Sequence, residues 1–429
     1  MQTLLDLGTL ARVALGAAVL LGLTLIAPAR AATYYVDNAV ASSGDGTSWA
    51  SAWPSFRHIA WATLRPGDTL VISGGSTAQT YPDTLTVGAS GTVSSPLTIT
   101  ASTDPGHNGT VIIDGQMSRD NGILLNGLHD VTVRGVTVQN HTGAQIRLFN
   151  GSGYRIEANS LYVTGAGGVF LQNCTNTVVG GNTITTPAYT TAQTDGIYAQ
   201  RNGGGNVYEN NTIIISNNEP TGHDDCIQLY QDASTTIRGN YCEQANTKTY
   251  NAQGFYITES TGTIEVSNNI LYGLHTGNTL IGLGNINAGN ARLVATNNTV
   301  VGSAWGSIWL QNAPASVVQH NTVQSAAANA TLVRITGSMP PAANVDHNLY
   351  TASHSARPFW QESANTFYTW TAWRQLGYDA HGQLTRVIPW LPIPEHRLHV
   401  DRLPRRRGPG PADRRQMDRV PSAPRPNSG

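Results

Sequence analysis

Val178, Val179, Gly180, Gly181, Asn182, Thr183, Ile184 is followed by Val207, Tyr208, Glu209, Asn210, Asn211, Thr212, Ile213, and then by Thr236, Ile237, Arg238, Gly239, Asn240, Tyr241, Cys242. The same text returns at Glu265 to Leu271, Val294 to Val300 and Val317 to Val323, always with asparagine in fifth place. The asparagines Asn159, Asn182, Asn211, Asn240, Asn269, Asn298, Asn321 and Asn348 are separated by 23, 29, 29, 29, 29, 23 and 27 residues, and Gly135 continues the series upstream. Short apolar alternations keep step with it, centred on Ile123, Ile146, Val169, Ile197, Ile227, Phe255, Ile281, Ile308 and Val333. Period-2 text inside a period of twenty-odd residues, without heptads or a long apolar helix, means short strands stacked coil on coil. The expected fold is all-β, a single-stranded right-handed parallel β-helix whose coils bury a continuous core between neighbours.

Solenoid ends need covers, and Pro54 to Leu64, with Phe56, Ile59, Ala60 and Leu64 on one helical face, reads as an N-terminal helical cap. The asparagines are read as structural, because a carboxamide at a repeated bend satisfies backbone groups that water cannot reach. The expected organisation is a signal peptide (1–31), cap and first coils (32–120), β-helix coils with the site (121–350), a C-terminal coil or cap (351–385) and a disordered Arg/Pro-rich tail (386–429).

At the N-terminus Arg12 precedes the apolar run Val13 to Ile26, and Ala29, Arg30, Ala31 supply a small-residue cleavage site, the pattern of a secretory signal. Secretion or periplasmic export is expected, with no membrane span. The tail from Arg386 carries ten arginines against Glu395, Asp401, Asp413 and Asp418, a formal +6. With +1 in residues 1–31 and −1 overall, the body is left at about −8, which disfavours nucleic acid as a partner.

The residue after each strand centre points out of the coil: Leu124, Arg147, Phe170, Tyr198, Gln228, Tyr256, Gly282, Trp309, Arg334. Such an aromatic and hydrogen-bonding face suits sugar rings and hydroxyls, so a polysaccharide or oligosaccharide is the expected partner of a monomeric protein. Two residues before Ile197 and Ile227 stand Asp195 and Asp225, and Asp224 is in register with Thr194. Stacked residues lie about 4.8 Å apart and diagonal ones about 7–8 Å, separations that bracket both kinds of glycosidase carboxylate pair. Aspartates before glycine also serve turns, or hold Ca²⁺.

Thr194, Asp195, Gly196, then Asp224, Asp225, Cys226, then Cys242, then Gln253, Gly254 resembles the polygalacturonase family of glycoside hydrolases, inverting enzymes on a β-helix. That resemblance implies Asp224 as the acid on the leaving oxygen, Asp195 and Asp225 as activators of water, a Cys226–Cys242 disulfide, a buried Cys174 thiol and no required cofactor. It covers residues 194 to 257. The block from Tyr34 to Gly75 is similar to bacterial proteins of the pectin lyase superfamily. The chain departs from the polygalacturonases where Ala252, Gln253, Gly254 replaces the family's histidine between glycines, and where Leu280, Ile281, Gly282 replaces its basic triplet. Substrate-binding candidates are Arg147, Phe170, Tyr198, Arg201, His223, Gln228, Gln253, Tyr256 and Trp309. An alternative is a polysaccharide lyase with Lys248, the sole lysine, as base, accompanied by His223, Tyr250 and Arg201, and with Ca²⁺ on the three aspartates. A third is a non-catalytic glycan binder.

Overall fold

Each coil contributes one short strand to each of three sheets, so every strand pairs with its counterpart one coil away. The result, in a computed structural model, is three sheets of twelve strands, all parallel except for a final antiparallel pair, Phe359–Gln361 with Thr366–Tyr368. The structure describes residues 31–188, 193–218, 223–245, 252–273, 281–286, 291–302, 306–325, 327, 330–352 and 354–386. The chain divides into Met1–Ile388 and Pro389–Gly429, and all three sheets lie in the first unit. The expected signal peptide up to Arg30, the tail beyond Arg386, Lys248 and Tyr250 lie outside the described residues.

The interior is built from columns of like residues. In the third sheet Ile123, Ile146, Val169, Ile197, Ile227, Phe255, Leu283, Ile308 and Val333 are paired in series, each at most 1% exposed. Burial of each such side chain contributes roughly 1.5–3 kcal/mol. Leu283, not Ile281, holds the central position of its coil, and Gly284, not Gly282, follows it on the outer face. A slip by two preserves the alternation of faces, so Ile281-Gly-Leu-Gly reads equally well in either register.

The asparagines form one continuous hydrogen-bonded ladder. In each rung the Asn backbone N–H and Nδ2 donate to Oδ1 of the next asparagine, and Nδ2 also donates to a main-chain carbonyl. For Asn211 these are Asn240 Oδ1 at 3.0 Å twice and Val179 O at 2.9 Å. Upstream the ladder ends on the Val136 amide, which donates to Asn159 Oδ1. Gly135 is therefore not a rung but the left-handed residue before one (φ 74°), the place taken later by Ala158, Gly181, Asn210 and Gly239. Downstream Asp379 closes the ladder, accepting from Asn348 Nδ2, Tyr350 Oη and Trp373 Nε1.

The N-terminal cap consists of two 3-10 turns, Phe56–His58 and Trp61–Thr63, rather than a continuous α-helical face. Phe56, Ile59 and Leu64 are buried, but Ala60 is exposed because the break between the turns rotates it outward. The extra residues of the 29-residue coils fall between the second- and third-sheet strands, ahead of the strands that carry the aspartates, and are largely outside the described residues.

Candidate active site on the outer face of the third sheet

Strict alternation would turn both neighbours of a central residue outward. The following residue obeys, giving the outer column Leu124, Arg147, Phe170, Tyr198, Gln228, Tyr256, Gly284, Trp309, Arg334. The preceding residue does not. A Cβ on Gly168, Gly196, Gly254 or Gly282 would stand 2.3–2.7 Å from a methyl of Ile184, Ile213, Leu271 or Val300, the interior column of the second sheet. Only glycine fits at these four positions; in the coil between Gly196 and Gly254, Cys226 and Cys242 occupy the facing positions and are joined by a disulfide, and in other coils Gln145, Ser307 and Leu332 stand at the corresponding place. Cys174 is a buried free thiol whose burial pushes its pKa up to about 11.

This bend sets the residue one place earlier off the interior column, beside the aromatic face but still buried: Asp195 and Asp225 are 0% exposed, as is Asp224. The column of Gly167, Asp195, Asp225 and Gln253, which continues in backbone register through Ile281 to Gly306, thus lies beside the aromatic face; Asp195 and Asp225 are tied by the Asp225 amide, which donates to Asp195 Oδ1 at 2.9 Å. His223 completes the group: its Nδ1 lies 3.2 Å from Asp225 Oδ2, and its ring meets Tyr256 edge-on at 5.1 Å. One ligand atom from each of Asp195, His223 and Asp225 lies within 4.8 Å of the other two. Burial first, then the charges of the aspartates, pushes the phenols of Tyr198 and Tyr256 up.

Asp224 is held separately. Its Oδ1 accepts from the Thr194 amide (2.8 Å), and Asn217 Nδ2 donates to both of its oxygens (3.1 and 3.2 Å). Sequence reading missed Asn217, and it missed Gln193, whose Nε2 bridges Asp195 Oδ2 (2.9 Å) and Gln228 Oε1 (3.1 Å). Gln193 stands two residues before Asp195, so period 2 places it on the same face.

The other candidates spread along this face. Phe170 meets Tyr198 edge-on at 5.1 Å, and the Arg147 guanidinium lies over Phe149 and Phe170 at 4.7 and 4.8 Å. Arg201 sits in the turn after its strand, bonded to Gln231, and its charge acts on Tyr198. Gln253 is buried, and its Oε1 has no hydrogen-bond partner among the described residues. Trp309 is covered by Arg334, which lies 3.7 Å over its ring and 4.7 Å from that of Trp360. A Ca²⁺ ion prefers six to eight oxygen ligands. The two carboxylates and imidazole that converge here are a poor match for it, and Asp224 is engaged by Asn217 and Thr194.

Residues 99–196 and 121–290 match the family model of the right-handed β-helix region. The fold of the chain is a right-handed parallel β-helix. Among solved structures it resembles a rhamnogalacturonan lyase, with 14% identity over 73% of this chain and 86% of that one and a TM-score of 0.51. It also resembles a complex of XylC with xylose, with 10% identity, 83% and 86% coverage and a TM-score of 0.51. A family 28 exopolygalacturonase of Yersinia enterocolitica aligns at 10% identity over 76% and 72%, with a TM-score of 0.42. The search of curated proteins gives no match. No helix among the described residues is long and apolar enough to cross a membrane.

Proposed function

We propose that this is an exported enzyme that hydrolyses a polysaccharide or oligosaccharide on the outer face of the third sheet. One observation carries the reading: Asp195, Asp225 and His223 converge beside a column of Phe170, Tyr198, Gln228 and Tyr256. Rings of this kind stack on sugar faces while Gln228 and Gln253 meet hydroxyls. Asp195 and Asp225 hold and deprotonate a water, which attacks the anomeric carbon. The glycosidic C–O bond breaks as the new C–O bond forms, and Asp224 protonates the departing oxygen. Gln193 and His223 position the base pair, and Asn217 positions the acid. The roles follow the polygalacturonase resemblance, but the substrate does not: the register positions after the aspartates hold Gln253, Ile281 and Gly284, where a uronate carboxylate would require cations. Neutral glycans are therefore the favoured substrates.

A second reading, elimination by a polysaccharide lyase, is favoured by the metal-competent spacing of Asp195, His223 and Asp225. The deciding experiment incubates the protein with neutral and acidic polysaccharides, with and without chelator. Hydrolysis yields reducing ends without ultraviolet absorbance and is indifferent to chelator; elimination yields absorbing, unsaturated ends. Binding without cleavage, unchanged when the three aspartates become Asn, would exclude both enzyme readings.

A further inference from the structure

At the opposite end of the solenoid from the cap, the left-handed position before the asparagine ladder changes character. Earlier coils fill it with Gly, Ala or Asn; the last two fill it with His320 (φ 58°) and His347 (φ 60°). Histidine is tolerated at such a φ but is less suited to it than glycine, so turn geometry alone gives no reason for imidazoles in consecutive coils. The two rings pack at 4.8 Å between centroids. A third imidazole then joins from a distant part of the chain: His381, in the turn after the helix Trp370–Gln375, stacks on His347 at 4.7 Å with planes 17° apart.

Asp346 serves both neighbours. Its Oδ2 lies 2.7 Å from His381 Nδ1 and 3.4 Å from His347 Nδ1, while its Oδ1 accepts from the His381 amide at 2.8 Å. One ligand atom from each of Asp346, His347 and His381 lies within 4.8 Å of the others. The carboxylate is mostly shielded (13% exposed), whereas the His347 and His381 side chains are 45% and 69% exposed, so an ion has free access to a carboxylate that the backbone already fixes.

We propose that Asp346, His347 and His381 form a binding site for a borderline divalent transition metal such as Zn²⁺, separate from the glycan-binding face. Two imidazole nitrogens and one carboxylate oxygen suit Zn²⁺, Ni²⁺ or Cu²⁺ rather than Ca²⁺ or Mg²⁺. Three protein ligands leave a fourth tetrahedral position to water. A metal–ligand distance of about 2.0–2.2 Å asks for ligand atoms a little over 3 Å apart, which small movements of exposed side chains supply. The ion would clamp the C-terminal segment around His381 onto the last coil, at the place where Asp379 ends the asparagine ladder.

The test is equilibrium dialysis of the whole chain against Zn²⁺ alone, read by elemental analysis, with Cu²⁺ electron paramagnetic resonance as a second readout. Because Asp195, His223 and Asp225 form another possible site, the measurements are made in an Asp225→Asn background as well. Expected are one Zn²⁺ retained in that background, a loss of at least about tenfold in affinity in H347A, H381A and D346N, and nitrogen hyperfine structure on Cu²⁺ that weakens in each His variant. H381Q, which keeps a polar side chain in the turn, serves if H381A does not fold. Zn²⁺ uptake equal in wild type and in folded His347 and His381 variants, or no uptake in the Asp225→Asn background, would overturn the proposal.

Discussion

Replacing Asn240 by Ala removes one rung from the middle of the asparagine ladder, and the structure allows the cost to be counted group by group. The Asn211 amide loses its acceptor (3.0 Å), Asn211 Nδ2 loses one of two acceptors (3.0 Å), and the Tyr208 and Asn269 oxygens each lose a donor (2.9 and 3.0 Å). All of these groups are buried between coils. A stranded buried amide costs about 1–3 kcal/mol and each of the three further lost bonds about 1 kcal/mol net, so the expected destabilisation is roughly 4–6 kcal/mol. The assay is urea unfolding followed by far-ultraviolet circular dichroism, with the m-value checked so that a midpoint shift reports stability. Asn210→Gly is the matched control: the same residue type, exposed, and left-handed (φ 54°) in a place glycine takes in other coils. It should change stability by less than about 1 kcal/mol. If Asn240→Ala costs no more than Asn210→Gly, the ladder does not hold the coils together.

Asp232 gives a pH-dependent prediction. It lies inside the solenoid, where burial raises its carboxyl to about 7 against the hydrogen bonds from Asn202. Between the ordinary carboxylate value and 7 the folded state binds more protons than the unfolded state, so stability falls as pH rises through that window and levels off above it. The change is on the order of 4 kcal/mol, and Asp232→Asn, which keeps the acceptor for Asn202, should flatten the profile in urea melts at pH 4 to 8. Changing Cys226 and Cys242 to Ser opens a link between residues 16 apart and should cost roughly 3 kcal/mol in the same melts. Gly196→Ala drives a methyl to within 2.5 Å of Ile213 Cγ2 and 2.6 Å of the Cys226 carbonyl, with an expected loss of about 1–3 kcal/mol in thermal unfolding.

What the sequence shows of this molecule depends on which forces act locally. The Asn series and the apolar centres are legible because each coil repeats the same bend and the same core contact, and Asn182 to Asn321 are rungs as the spacing predicts. Ile281 misleads because its coil alternates apolar and glycine residues, so the pattern fixes the face but not which of two same-face positions stacks on Phe255. Gly135 misleads because the left-handed residue and the rung are adjacent and both favour turn residues. The inward turn of Gly196 and Cys226, which sets Asp195 and Asp225 beside the aromatic face, depends on contact with Ile213 and Cys242 in another sheet. No window of the sequence contains that contact. Gln193 was within reach by period 2, whereas the bond from Asn217 to Asp224 depends on how the chain folds back between the second and third sheets.

Product chemistry tests the role of the face that carries Asp195, Asp224 and Asp225 most directly. Wild-type protein and the Asp225→Asn variant are incubated with a panel of neutral and acidic polysaccharides, and reducing ends are measured together with absorbance of unsaturated sugars. Catalysis by these carboxylates predicts new reducing ends from a neutral glycan, no unsaturation, and a fall of about 10²–10⁴ in rate in the variant with its fold intact. Unsaturated products, or cleavage that Asp225→Asn leaves unchanged, would contradict it.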